Sequence, residues 1–174
     1  MLKIKRIQAR SILPRSNIPG FHFALNPYRG CAHSCRYCYA EFMSKYRGRV
    51  EKWGTFVDIK TNAAELLYRE LPKTYRKRII ISSVTDPYQP IEEKEKITRR
   101  ILKLLISSHA SICILTKSSL IIRDIDLLLE FPSIEVGFSL TLLGDRYRLF
   151  EPFASPPKNR FETLEKLSSH GIHT

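Results

Sequence analysis

Four cysteines in 174 residues are too few for a disulfide scaffold. No apolar run approaches the roughly 20 residues that a helical membrane span needs; the longest, Ile101 to Ile106 and Leu120 to Leu129, are interrupted by charges. The N-terminus MLKIKRIQAR lacks the apolar stretch followed by small residues that marks a secretory signal. No low-complexity tract is present, which excludes disordered, collagen-like or linker character. These absences predict a chain with no membrane partner, a reducing cytoplasmic setting, and cysteines that serve as thiols or metal ligands.

Acids are in deficit as well, with 17 Asp plus Glu against 29 Lys plus Arg and a net charge of +12. Such a surplus makes nucleic acid a candidate partner, because cations gain affinity for polyanions by releasing counterions. Lys3, Lys5, Arg6, Arg10 and Arg15 crowd the start of the chain, and further cations cluster over Lys45 to Lys52 and Arg69 to Arg78. The plainer reading of the same charges is a solvated basic face.

The 43% of apolar residues can fill one core. Residues 1–20 read as a basic arm ending in the structure-breaking cluster Pro14, Asn17, Pro19 and Gly20, and 21–174 as one domain. Strands are expected at Phe21 to Asn26, Ile79 to Val84, Ile112 to Leu115 and Ile134 to Thr141, with Phe56 to Lys60 as a short additional segment. Between them, helices are expected after Asn62 with Glu65 completing a capping box, from Pro90 through Ser108, over Leu120 to Glu130 and over Pro156 to His170. Strands separated by helices of this length predict an α/β fold with a parallel sheet and about four βα units. Each apolar strand ends in polar residues: Thr85 and Asp86, Thr116 and Lys117, Ser139 and Thr141. In parallel α/β folds that edge is where ligands bind.

The loop NPYRGCAHSCRYCYA after the first strand carries Cys31, Cys35 and Cys38 as C-x3-C-x2-C. Structural zinc takes four protein ligands, whereas an iron-sulfur cube held by three thiolates leaves one iron open. Zinc would need His33 or His22 as a fourth ligand, and His33 lies inside the first cysteine spacing, where its reach is cramped. Cys113, between Ile112 and Ile114, reads as a small apolar side chain of a buried strand, not as a ligand.

This loop, with Tyr37 just before the third cysteine, resembles the radical S-adenosylmethionine (SAM) superfamily. The successive segments TDPYQPIEEKEKITRRIL, ILTKS, SLT and FEPFASPPKNRFETLEKL resemble its spore photoproduct lyase-like branch. The resemblance implies an incomplete (βα)6 partial barrel and a [4Fe-4S] cluster on Cys31, Cys35 and Cys38. It also implies SAM on the open iron and its reductive cleavage to methionine and a 5'-deoxyadenosyl radical. An external electron donor of flavodoxin or ferredoxin type would supply the electron. By position, Tyr37 would lie against the adenine and Thr85, Asp86, Lys117 and Ser139 near SAM, with the Lys117 cation suited to the methionine carboxylate. No residue is thereby assigned to catalysis, and the resemblance does not extend to a substrate or an oligomeric state.

Two departures qualify the likeness. In the lyase a cysteine just before the rim returns a hydrogen atom to the product radical; here the neighbourhood reads SSVTD, and Ser83 falls where that thiol would be. DNA repair is an association of the branch, but thymine-dimer repair by the thiol route is not expected. The chain also provides about four of the units and stops at Gly171 to Thr174, where a further strand should begin, so it reads as a core domain truncated on its C-terminal side and as a fragment of a longer product. Competing readings are a metal-stabilised, non-enzymatic module that binds nucleic acid and an inactive fragment that retains the cluster. The position of Glu151 and Arg160 in FEPFASPPKNR leaves open whether they shape a substrate site or hold the loop by an ion pair.

Overall fold

Short runs rich in Ile and Val set the strands, and loops rich in Gly, Pro and Ser separate them. The computed structural model describes residues 1–46 and 50–174, so part of the basic cluster Lys45 to Lys52 lies outside the described residues. The strands are β1 (Lys3–Ile7), β2 (Phe23–Leu25), β3 (Tyr28–Arg29), β4 (Phe56–Lys60), β5 (Arg78–Ile81), β6 (Ser111–Thr116) and β7 (Ile134–Phe138). The α-helices are α1 (Phe42–Tyr46), α2 (Ala63–Glu70), α3 (Glu92–Glu95), α4 (Ile97–Leu105), α5 (Ile125–Leu128), α6 (Tyr147–Phe150) and α7 (Pro157–Ser169).

An all-parallel sheet holds β2, β5, β6 and β7 side by side in chain order. This is the α/β arrangement and the set of βα units that the sequence predicts. Alternation along each strand puts Ile79, Ile81, Ile112, Ile114 and Val136 into one core with Ile97, Ile101, Leu102 and Leu105 of α4 and Leu167 of α7. Removing each of these large side chains from water contributes about 1.5–3 kcal/mol before entropy is counted. The intervening residues behave differently: Leu115 is 47% exposed, Glu135 is exposed and Cys113 is only half-buried. Cys113 is therefore not a core residue as its apolar neighbours suggest, because strand alternation turns it away from the helices.

The basic arm contributes a strand that the sequence reading does not anticipate. Lys3–Ile7 pairs in parallel with β4, and β4 pairs antiparallel with β3, giving a second, three-stranded sheet. Two of its cations are paired, Arg6 with Glu95 at 2.6 Å and Lys3 with Glu51 at 3.6 Å. Asn62 stands at the start of α2 but makes no cap bond; its side chain accepts from the Ala9 N–H and donates to the Ala9 carbonyl, both at 2.9 Å. Glu65 pairs with Arg69 at 2.5 Å in place of a capping box.

Other boundaries shift for local reasons. Lys96, left-handed at φ +51°, splits the helix expected from Pro90 into α3 and α4. The expected Leu120 to Glu130 helix is a 3-10 turn over Ser119–Asp124 followed by α5. The strand expected to reach Val84 ends at Ile81, because Ser82 takes the left-handed conformation at φ +67°. At the far end, Glu135 and His173 form a parallel bridge, so the chain after Gly171 runs alongside β7.

Gly30, at φ +81°, packs so closely on β4 that an added Cβ would collide with the Phe56 carbonyl and ring. Gly30→Ala should therefore cost about 2 kcal/mol or more and lower the melting temperature by roughly 4–8 °C. Gly144→Ala, where φ is +69° but no atom lies within 4 Å of the new methyl, should show only the smaller backbone penalty. Equal shifts in thermal melts of the two variants would contradict this packing account.

Candidate cofactor site

The C-terminal ends of β2, β5, β6 and β7 and the loops that follow them surround a pocket of about 100 Å³. Its wall includes Cys31, Cys35, Cys38, Thr85, Asp86, Lys117 and Ser139, so the structure brings together every predicted site residue except Tyr37 in its lining. The cysteine loop is wound by single turns: Ser34 N–H bonds to the Cys31 carbonyl, Cys38 N–H to that of Cys35 and Glu41 N–H to that of Cys38. Cys31 and Ala40 pack with Trp53 and Phe56 in a small apolar cluster beneath the loop. Burial pushes both thiols upward, Cys31 strongly, with Asp86 adding to it, and Cys35 to about 11, with Lys117 opposing the rise.

The opposite wall is a hydrogen-bond scaffold that sequence reading missed in part. Asn26, the residue after β2, accepts from the N–H groups of Ser83 and Val84 at 3.0 and 3.2 Å. Its Nδ2 lies 3.4 Å from the Ser83 hydroxyl. Gln89, fully buried, accepts from Ala32 N–H at 2.8 Å and donates to the Thr85 hydroxyl at 3.0 Å. Thr85 in turn donates to the Gly30 carbonyl at 2.6 Å. Asn26, directly after β2, and Gln89, within TDPYQP, were the available signal, but a polar residue in a loop is common enough to hide it.

Asp86 is a buried hub, not an open rim group. Its carboxylate accepts from Tyr88 N–H at 2.9 Å, the Thr116 hydroxyl at 2.7 Å and Lys117 N–H at 2.8 Å. Burial alone would raise its pKa, but His33, Thr116 and Lys117 N–H together hold the carboxyl below its usual range. His33 lines the same pocket: its Nδ1 lies 2.9 Å from the Phe153 carbonyl oxygen, while its buried Nε2 lies 3.2 Å from Asp86 Oδ2 without forming a hydrogen bond. His22 sits at the other end of β5, where its Nδ1 accepts from Arg78 N–H. His22 is therefore remote from the cysteine pocket, whereas His33 shares its wall. Cys113 lines a different pocket, with Arg78, Glu135 and His173.

Tyr37 is 43% exposed. Its hydroxyl donates to Glu151 and lies 2.8 Å from the Thr141 hydroxyl. The Lys117 ammonium stands 5.9 Å from its ring centroid. Glu151 is salt-bridged to Arg160 at 2.5 Å, and both side chains are completely buried. Burial would raise the Glu151 carboxyl; Tyr37 and Arg160 overcome that and hold it low.

The family model of the radical SAM superfamily matches residues 25–174. The chain belongs to the radical SAM superfamily. An uncharacterized protein of Methanocaldococcus jannaschii is 40% identical over 172 residues, a match covering 98% of this chain and 64% of that protein. An uncharacterized protein of Mycobacterium tuberculosis is 31% identical over 169 residues, covering 92% of this chain and 49% of its own length. This radical SAM chain thus spans about half to two thirds of the relatives it matches. Among solved structures, a variant spore photoproduct lyase with bound AdoMet and dinucleoside spore photoproduct superposes with a TM-score of 0.72 at 15% identity, covering 97% of this chain and 48% of that one. At that identity the likeness establishes the fold: a partial radical SAM fold corresponding to about half of the lyase.

The superfamily's cofactors are a [4Fe-4S] cluster and SAM, and the thiols on the pocket wall are donors of the kind such a cluster takes. Three thiols share its wall, yet among the described residues no three His, Cys, Asp or Glu groups converge closely enough for a single metal ion. The same wall holds the buried hydroxyl of Ser82, which has no hydrogen-bond partner. An orphaned buried polar group of this kind is costly unless a ligand satisfies it.

Proposed function

We propose that Cys31, Cys35 and Cys38 hold a [4Fe-4S] cluster in this pocket and that the chain is, or is part of, a radical SAM enzyme of the spore photoproduct lyase-like type. The observation that carries the reading is the convergence on one pocket of the three thiols, the rim residues Thr85, Lys117 and Ser139, and the unpartnered Ser82 hydroxyl. Held by Cys31, Cys35 and Cys38, such a cluster would supply one-electron reducing chemistry of the kind that would cleave a carbon–sulfur bond of SAM.

The protein's part is to bind and orient. Lys117 offers an ammonium to the methionine carboxylate, and its backbone is fixed by the bond from its N–H to Asp86. Asp86 is thus a positioning residue rather than a contact. Tyr37 presents its ring for the adenine side, and Ser139 N–H is tied to the Thr116 carbonyl at the mouth of the pocket. A low-potential flavodoxin or ferredoxin type of donor is proposed as reductant. Nucleic acid is the proposed substrate class, supported by the +12 charge. Ser83 has a hydroxyl whose O–H bond is far harder to break homolytically than S–H, so no hydrogen return from this segment is proposed.

The reading is tested by supplying the anaerobically reconstituted chain with SAM and a strong reductant and measuring 5'-deoxyadenosine. Its formation is expected. A coloured protein that forms none would leave the cluster and remove the enzyme, and a colourless protein with stoichiometric zinc would remove both.

A further inference from the structure

A strap of chain, residues 150–155, runs along the cysteine loop and contacts it at four points, one of them the His33 ring, whose Nδ1 lies 2.9 Å from the Phe153 carbonyl oxygen. The Phe153 N–H bonds to the His33 carbonyl at 3.4 Å, the Arg36 N–H bonds to the Phe150 carbonyl at 2.9 Å, and the Tyr37 hydroxyl donates to the Glu151 carboxylate. These contacts bracket Cys35 and reach to the residue before Cys38. The strap also touches the other wall of the pocket, since Ser155 N–H bonds to the Lys117 carbonyl at 3.0 Å.

Arg160 holds this strap from α7. Its Nε donates to the Ser155 carbonyl at 2.7 Å, its Nη1 to the Ser139 carbonyl at 2.7 Å and its Nη2 to Glu151 at 2.5 Å. One guanidinium therefore joins the end of β7, both ends of the strap and, through Glu151, the cysteine loop. A completely buried ion pair is a poor choice for stability alone, because apolar side chains of the same volume commonly do as well or better. A buried carboxylate does provide what apolar groups cannot: a strong charge-assisted acceptor for the Tyr37 hydroxyl.

We infer that Glu151 and Arg160 form a latch that positions Tyr37, and with it the loop bearing Cys35 and Cys38, against the pocket wall that carries Lys117. This resolves the alternatives for FEPFASPPKNR in favour of holding the loop. Both residues are positioning residues; neither lines the pocket. The inference rests on the proposed SAM chemistry only for the second arm of its test.

The first arm uses the full chain without iron. The rate at which each cysteine reacts with a disulfide reagent is followed by mass spectrometry, with Cys113 as internal reference. Tyr37→Phe removes the hydroxyl anchor and leaves the ion pair intact. It should raise the rates at Cys35 and Cys38 about tenfold, the effect of losing one hydrogen bond to a charged group, with Cys113 unchanged. Glu151→Gln should act in the same direction, and the double variant should add little to Tyr37→Phe. Unchanged rates at Cys35 and Cys38 in Tyr37→Phe would overturn the latch, as would an equal rise at Cys113, which reports global loosening. If Glu151→Gln does not fold, Tyr37→Phe decides alone. In the second arm the reconstituted Tyr37→Phe protein should bind SAM about tenfold more weakly than wild type, read by titration rather than turnover. Wild-type affinity beside faster thiol reaction would contradict positioning of the pocket. A wild type that takes up no iron would defeat the proposed function while the first arm still judges the latch.

Discussion

Cys35→Ala should reduce anaerobic iron uptake from about four atoms per chain to near zero, because two thiolates cannot hold the cube. Cys35 lies in the middle of the triad, on the same pocket wall as Cys31 and Cys38, and the one histidine on that wall is His33. Its ring lies against Asp86 and Phe153, and His22 sits at the start of β5. Cys113→Ala is the matched control. Its thiol is half-buried in another pocket, so removing it should leave iron content and the visible spectrum unchanged. Iron and acid-labile sulfide analysis checks both. A bleached Cys113→Ala protein would mean that the ligand set is wrong.

The largest effect on stability is expected from Arg160→Leu. The substitution leaves Glu151 fully buried with its charge uncompensated, and breaks two further bonds, to the carbonyls of Ser139 and Ser155. Breaking a buried pair from one side costs about 3–5 kcal/mol. For a domain of this length that corresponds to a fall of roughly 6–20 °C in melting temperature. Replacing both partners by Leu should recover part of the loss, since no buried charge is then stranded. Thermal melts of the single and double variants measure this directly. A double variant no more stable than Arg160→Leu would show that the lost hydrogen bonds of Arg160, rather than the stranded charge, dominate.

Legibility of the fold tracked burial. Ile79 to Ile81 and Ile112 to Ile114 announced central parallel strands because residues packed on a sheet have few chemical alternatives, and β2, β5, β6 and β7 lie where the pattern put them. β1 was hidden because its residues Lys3–Ile7 are mostly exposed and charged, and only pairing with β4 makes them a strand. The capping box at Asn62 failed for a similar reason, since a long-range partner, Ala9, competes for the same side chain.

In the site, the cysteine spacing was readable because it is local in sequence. The scaffold behind it was not. Asp86 and His33 meet across 53 residues, and Tyr37 and Glu151 across 114, so their roles depend on topology that no local pattern encodes. Ser82 illustrates the remainder: a serine ending a strand is ordinary, and only its left-handed backbone and its unpartnered buried hydroxyl in the pocket wall set it apart.

The central claim is that three thiolates leave one iron of the cluster open to SAM. The most direct measurement is the electron paramagnetic resonance spectrum of the reduced, reconstituted chain before and after SAM is added. A shift in g-values on addition, absent in Cys35→Ala for lack of a cluster, is the predicted result. A spectrum identical with and without SAM would contradict the account.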